Sequence, residues 1–117
     1  IPLPANMPAV CAQYNTSLTG LMFAVYHLLL SKLTSQADLI IGTTTSARMN
    51  QSLKDVVGYF IDTLPIRSTI KPEQTLKEFV GAVAINRAEA YAHQSVDFPT
   101  IIEKLKVSNN PAISPLF

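Results

Sequence analysis

The chain has 117 residues, 48% of them hydrophobic and only 15% charged, with a net charge of +1. That length suits one domain and is too short for two, and so apolar a composition fills a core and excludes a disordered tail. The nine basic residues are scattered with no phosphate-tracking stripe, which argues against a nucleic-acid partner, and the single Cys11 excludes an intramolecular disulfide and a cysteine zinc cluster.

The low charge fits either a compact, apolar domain or a piece of something larger whose apolar faces are covered by missing partners, and the second is preferred. One cysteine fits a reducing compartment. The start, Ile1-Pro2-Leu3-Pro4-Ala5, lacks the basic region and apolar core of a signal peptide. Residues 18–33 are apolar but are interrupted by His27, Ser31 and Lys32, so a membrane span is not expected. The chain begins without Met and stops at Ser114-Pro115-Leu116-Phe117; both ends read as cut, and an excised fragment is expected.

In chain order, Asn6 and Pro8 start a short helix over 8–14, which Asn15 ends in a left-handed conformation. Thr16 or Ser17 caps a second helix. Its Leu18, Leu21, Met22, Val25, Leu28, Leu29 and Leu33 recur at helical spacing, and Phe23, Tyr26 and Leu30 occupy the other face. A helix apolar nearly all round is expected to be buried on more than one side. Leu39-Ile40-Ile41-Gly42-Thr43-Thr44-Thr45 reads as an interior strand covered on both faces. A polar loop over 46–51 follows. Ser52 and Asp55 cap a short helical turn that Gly58 ends.

The run Val57-Gly58-Tyr59-Phe60-Ile61-Asp62-Thr63-Leu64-Pro65-Ile66-Arg67 reads as a second strand, with Pro65 at an edge or bulge. Lys71-Pro72 breaks it. Thr75 and Glu78 form a capping box for a long helix whose inner row is Leu76, Phe79, Val80, Val83, Arg87 and Tyr91. Asp97 and Pro99 start a last helix through Leu105, with Ile101, Ile102 and Leu105 inward. A loop is expected from Val107 onward. Interleaved helices and strands predict an α/β class, a mixed sheet layered with helices. Two strands are too few for an independent sheet, so further strands from elsewhere are expected.

Few residues are poised for chemistry. His27 and His93 are far apart, with no metal-ligand spacing, and no metal is expected. His27 reads as a core histidine with one satisfied nitrogen. His93 reads as a polar cap after the long helix. Tyr26, Tyr59 and Tyr91 read as packing residues. No serine sits in a nucleophile elbow, Cys11 has no neighbouring base, and residues 42–48 lack the glycine spacing and lysine of a phosphate loop. Asp62 is the sharper case. Strand alternation puts it on one face with Phe60 and Leu64, where a carboxylate needs hydrogen bonds or a cation. An ion pair with Arg67 or Arg48 would supply the cation.

Four segments resemble motifs of the condensation domains of nonribosomal peptide synthetases. Residues 57–67 are similar to the pattern Ile/Val-Gly-x-Phe-Val-Asn-Thr followed by an Arg: Val57, Gly58, Phe60, Thr63 and Arg67 fit, Ile61 replaces a Val, and Asp62 stands where the family usually has Asn. Gly42-Thr43-Thr44-Thr45-Ser46-Ala47-Arg48 resembles Gly-Thr-x-x-x-Gly-Arg, with Ala47 for the second Gly. His93-Gln94-Ser95-Val96-Asp97-Phe98-Pro99 resembles His-Gln-Asp-x-Pro-Phe-Glu, with the acid displaced and the Pro and Phe exchanged. Residues 110–117 resemble a segment ending Ser-x-x-Pro-Leu-Phe. The family's His-His-x-x-x-Asp-Gly signature does not occur in the chain.

The resemblance implies half of a chloramphenicol acetyltransferase-like fold, with residues 1–117 a fragment from the C-terminal half of a condensation domain. It implies amide formation between carrier-bound donor acyl and acceptor aminoacyl thioesters, in the cytoplasm. Phosphopantetheine arms tether the substrates, and no cofactor is bound directly. Partners would be the N-terminal half, peptidyl carrier proteins and an adenylation domain. Gly58, Phe60, Asp62 and Thr63 would be nearest the channel, with Arg48, Arg67 and His93 as structural polar residues. With the histidine pair in the other half, no residue here is catalytic and the fragment alone would be silent. The alternatives are a non-catalytic condensation-like domain that recruits a partner, an epimerization or cyclization relative, and a bare helical packing module.

Overall fold

The structure is a computed structural model that describes residues 4–46, 48, 51–107 and 116. The loop expected after Val107 and most of the segment 110–117 lie outside the described residues. The element order is α1 (Met7–Gln13), α2 (Leu18–Thr34), β1 (Asp38–Ser46), a 3-10 turn (Gln51–Leu53), β2 (Ile61–Thr69), α3 (Leu76–Ala92) and α4 (Phe98–Leu105). Backbone contacts divide the chain into two compact units, Ile1–Leu39 with Arg67–Ala88, and Ile40–Ile66 with Glu89–Phe117.

Helix boundaries follow local chemistry. Pro8 sits in the first turn of α1, and Asn15 ends it at a φ of 48°, the left-handed geometry that asparagine tolerates. Asn6 precedes the helix but makes no side-chain capping bond; its ψ of 0° departs from the extended backbone of a capping residue. Ser17, not Thr16, caps α2: its hydroxyl accepts from the Gly20 N–H at 3.1 Å. The Thr75–Glu78 box forms as expected, with the Thr75 N–H donating to Glu78 at 2.8 Å and the Glu78 N–H donating back to the Thr75 hydroxyl at 3.3 Å. Asp97 caps α4 by accepting from the Thr100 N–H at 3.0 Å.

β1 and β2 pair in one two-stranded sheet among the described residues. The start of β1 lies beside the end of β2, where Ile70 N–H donates to Ala37 O, so the strands run antiparallel. β2 starts later than expected: Val57 to Phe60 form an irregular approach, and the strand proper extends to Thr69. Its burial alternates, with Leu64, Ile66 and Ser68 buried and Arg67 and Thr69 exposed. Asp62 therefore belongs to the inward row, as strand geometry requires. The turn after the polar loop begins at Gln51, so Ser52 lies inside it instead of capping it.

The first unit is built on α2 and α3. Leu21 and Ala24 pack against Phe79, Val80 and Val83, with α1 contributing Met7, Val10 and Cys11 at the margin. His27 is completely buried beside them. Its Nδ1 lies 3.1 Å from the Phe23 carbonyl, which can only accept, so Nδ1 carries the proton. The Phe23 ring lies at a tilt 4.9 Å from His27, and the Arg87 guanidinium is 5.4 Å from the Phe23 ring centroid.

The orientation of α2 corrects one expectation. Leu21, Ala24 and His27 face the core, while Leu18, Met22, Val25, Leu29 and Leu33, at spacings of four and three, are exposed on the opposite side. The small residues Gly20 and Ala24 lie on the packed face, where they allow close approach. Hydrophobicity alone does not separate the two faces. Tyr26 and Tyr59 are likewise exposed rather than packed.

Candidate functional site: the loop and strand start around Phe60

The motif residues of the second unit gather where β1 ends and β2 begins. Ser46, Arg48, Gly58, Tyr59, Phe60 and Ile61 line a shallow cavity of about 260 Å³. Arg48 organises it. Its Nη1 donates to the Leu53 carbonyl and, at 3.2 Å, to the Lys54 carbonyl, and its guanidinium carbon sits 4.2 Å from the Phe60 ring centroid. The planar cation lies over the electron-rich ring face, as electrostatics favours.

Gly58 touches the same ring. A Cβ placed there would come within 3.0 Å of the Phe60 ring edge, closer than packed carbons sit without displacement. Between these contacts Val57 and Tyr59 project outward, 99% and 85% exposed. An apolar tip is thus presented to solvent by a loop anchored at Arg48 and Phe60.

Asp62 follows on the inward row, half-buried. Its Oδ1 accepts from the Thr63 N–H at 2.7 Å. Neither arginine considered for it pairs with it. Arg67 is engaged in the first unit by Asp38, through contacts of 2.9, 3.2 and 2.6 Å. These bonds hold the Asp38 carboxyl below its ordinary range and raise Arg67. Arg48 donates instead to the Leu53 and Lys54 carbonyls. Asp62 therefore has no cation partner among the described residues.

His93 follows the last residue of α3 and is exposed; its N–H closes the helix onto Glu89 O and Ala90 O at 3.2 and 3.1 Å. Its neighbour Gln94 accepts through Oε1 from the Thr45 hydroxyl near the end of β1, so two of the motif segments meet by a side-chain bond. Among the described residues no cluster of three His, Cys, Asp or Glu side chains is arranged to hold a metal. No single described helix is long and apolar enough to cross a membrane.

Sequence reasoning singled out Gly58, Phe60, Asp62 and Arg48 but missed the contacts that connect Arg48, Phe60 and Gly58. The only advance signal was that an arginine closes the segment after β1 while a Gly-x-Phe opens β2. Nothing in that spacing reveals that the loop folds back to stack them.

Comparison with known proteins accounts for these motifs. Residues 4–117 match the condensation domain family. The chain is 39% identical over 108 residues to tyrocidine synthase 2 of Brevibacillus parabrevis, covering 92% of this chain and 3% of that protein. It is 31% identical over 115 residues to surfactin synthase subunit 2 of Bacillus subtilis (strain 168), covering 98% and 3%. Among solved structures it superposes with a TM-score of 0.90 and 27% identity on holo-AB3403, a four-domain nonribosomal peptide synthetase bound to AMP and glycine, covering 95% of this chain and 8% of that one. The X-domain from teicoplanin biosynthesis gives 0.86 and 26%, covering 95% and 25%.

The chain belongs to the condensation domain family of nonribosomal peptide synthetases. Its α/β architecture is that of the chloramphenicol acetyltransferase-like class expected from sequence. It spans only a few per cent of the curated synthetases it matches.

Proposed function

We propose that this chain is the C-terminal half of a condensation domain that joins two carrier-bound substrates, and that the loop and strand start around Phe60 form part of its channel wall. In the reaction, the amine of the acceptor aminoacyl thioester attacks the donor thioester carbonyl. A C–N bond forms, the C–S bond breaks, and the donor carrier's thiol leaves with the proton that the amine gives up. Both substrates ride on phosphopantetheine arms of peptidyl carrier proteins, with an adenylation domain loading the acceptor, in the cytoplasm. The histidine pair resides in the N-terminal half. The residues here hold and orient, and rate follows from keeping two tethered reactants aligned.

The observation that carries this reading is Asp62, a carboxylate on the inward row of β2 with Thr63 N–H as its hydrogen-bond donor and no cation beside it among the described residues. A half-buried carboxylate on the inward row, with a backbone N–H as donor, fits a polar group facing a channel. Gly58, Phe60 and Thr63 accompany it as the wall. The open row on α2 supports the half-domain reading, because so many exposed large apolar residues on one helix call for covering structure.

A second reading has one observation in its favour. The chain also superposes, with a TM-score of 0.87 and 25% identity, on the X-domain solved in complex with OxyB. A condensation-like domain that recruits a protein partner would share this fold.

The deciding experiment uses the complete synthetase that contains this chain, with carrier proteins loaded with donor and acceptor. Amide product is expected from the parent protein, and Asp62→Ala should lower its rate while leaving the thermal midpoint nearly unchanged. A parent protein that binds a partner but forms no amide favours the recruiting domain. Collapse of folding in Asp62→Ala without a separate kinetic effect assigns Asp62 a structural role.

A further inference from the structure

We infer that Arg48 is a positioning residue: it clasps the loop 53–60 and fixes the Phe60 ring, and through that ring the shape of the cavity beside Tyr59. The inference rests on the reading of Gly58 and Phe60 as channel wall. Three observations carry it. The Arg48 guanidinium spans two separate elements, donating to the Leu53 and Lys54 carbonyls at the end of the 3-10 turn while stacking 4.2 Å over Phe60. The edge of that ring also lies close to Gly58, where an added Cβ would come to 3.0 Å from it. All three residues line one cavity of about 260 Å³.

The geometry explains why arginine suits this position. The backbone from Val57 to Phe60 belongs to no regular element, and its apolar tip is solvated, so local propensity does not fix it. A lysine would keep the charge but present a point cation, without the flat fork that bonds carbonyls and covers a ring together. Asp62 follows Phe60 by two residues, at the start of β2, so a shift at Phe60 falls next to the stretch that carries the carboxylate. Arg48 touches no substrate in this account; it acts through Phe60.

The test uses the complete synthetase with Arg48→Met, Arg48→Lys, Phe60→Leu and the Arg48→Met/Phe60→Leu double variant. Two quantities are read: hydrogen exchange of the peptide spanning 53–60, and kcat and KM for amide formation from loaded carrier proteins. Arg48→Met should speed exchange in that peptide by about tenfold, the loss expected of a cation–π contact and its hydrogen bonds. It should lower kcat by about tenfold or more with little change in KM. Arg48→Lys should recover only part of both. The double variant should be no slower than the worse single one, because both act through one stack.

Unchanged exchange in Arg48→Met and Arg48→Lys overturns the clasp. Faster exchange with an unchanged kcat, or independent and multiplicative losses in the double variant, overturns the positioning role. If the parent synthetase forms no amide, the functional reading fails and the positioning role with it, while exchange in the same variants still decides whether Arg48 holds the loop.

Discussion

The helical unit and the loop around Phe60 are held by different physics. In the first, Leu21, Ala24, Phe79, Val80 and Val83 exclude water over a continuous patch, and stability comes from apolar area and close packing. In the second, the Arg48 guanidinium ties the Leu53 and Lys54 carbonyls to the Phe60 ring, and Val56 N–H donates to Leu53 O, with Val57 and Tyr59 in solvent. The first arrangement tolerates no loss of volume and little polar change. The second presents an exposed apolar tip, and Asp62 follows it on the inward row of β2. The condensation family motifs at residues 42–48 and 57–67 border the second region.

Four substitutions sharpen or break this contrast. The largest effect on stability is expected from Phe79→Ala, which empties a buried position and should cost about 3–5 kcal/mol in a denaturant titration of the complete domain. A loss below about 1 kcal/mol, the range typical of surface sites, would show that close apolar packing does not hold the helical unit. Gly58→Val should behave in the opposite way. It drives a side chain into the Phe60 ring, so amide formation should fall by up to about 100-fold with a modest change in thermal midpoint. Equal damage to folding would erase the distinction between the regions.

Ser17→Ala removes the cap that accepts from Gly20 N–H and should cost about 1 kcal/mol, read as a lower thermal midpoint with amide formation unchanged at permissive temperature. The smallest effect concerns pH. Arg67 hydrogen bonds hold Asp38 below its ordinary range, so the folded state binds this proton less readily than the unfolded chain does. Its contribution is complete above the unfolded value of about 3.9 and is lost as pH falls through the lower folded value. Both partners are largely solvated, so the contribution is small and screened by salt. Asp38→Asn should flatten that part of the acid stability profile, and an unchanged profile would mean the pair contributes nothing measurable.

Much of the local structure was legible in the sequence. Caps at Thr75–Glu78 and Asp97, a cap for α2 at Thr16 or Ser17, the left-handed Asn15, and the inward row containing Asp62 follow from rules that operate within a few residues. The family followed from four short motifs. The site was legible as a set of residues but not as an arrangement: Gly58, Phe60 and Arg48 stand in separate motifs, and Asp62's partner was left open between two arginines, neither of which takes it.

The sequence by itself determined where helices start, which residues alternate along β2, and the condensation family, because hydrogen bonding and side-chain periodicity are set by near neighbours. Only the tertiary structure decided which face of α2 meets the core, that Arg67 closes on Asp38, and that Arg48 stacks on Phe60. Leucines on both sides of a helix are equally apolar, and an arginine has several acceptors within reach. The choice among them depends on which surfaces long-range folding brings together, and that information is not carried by any short stretch of chain.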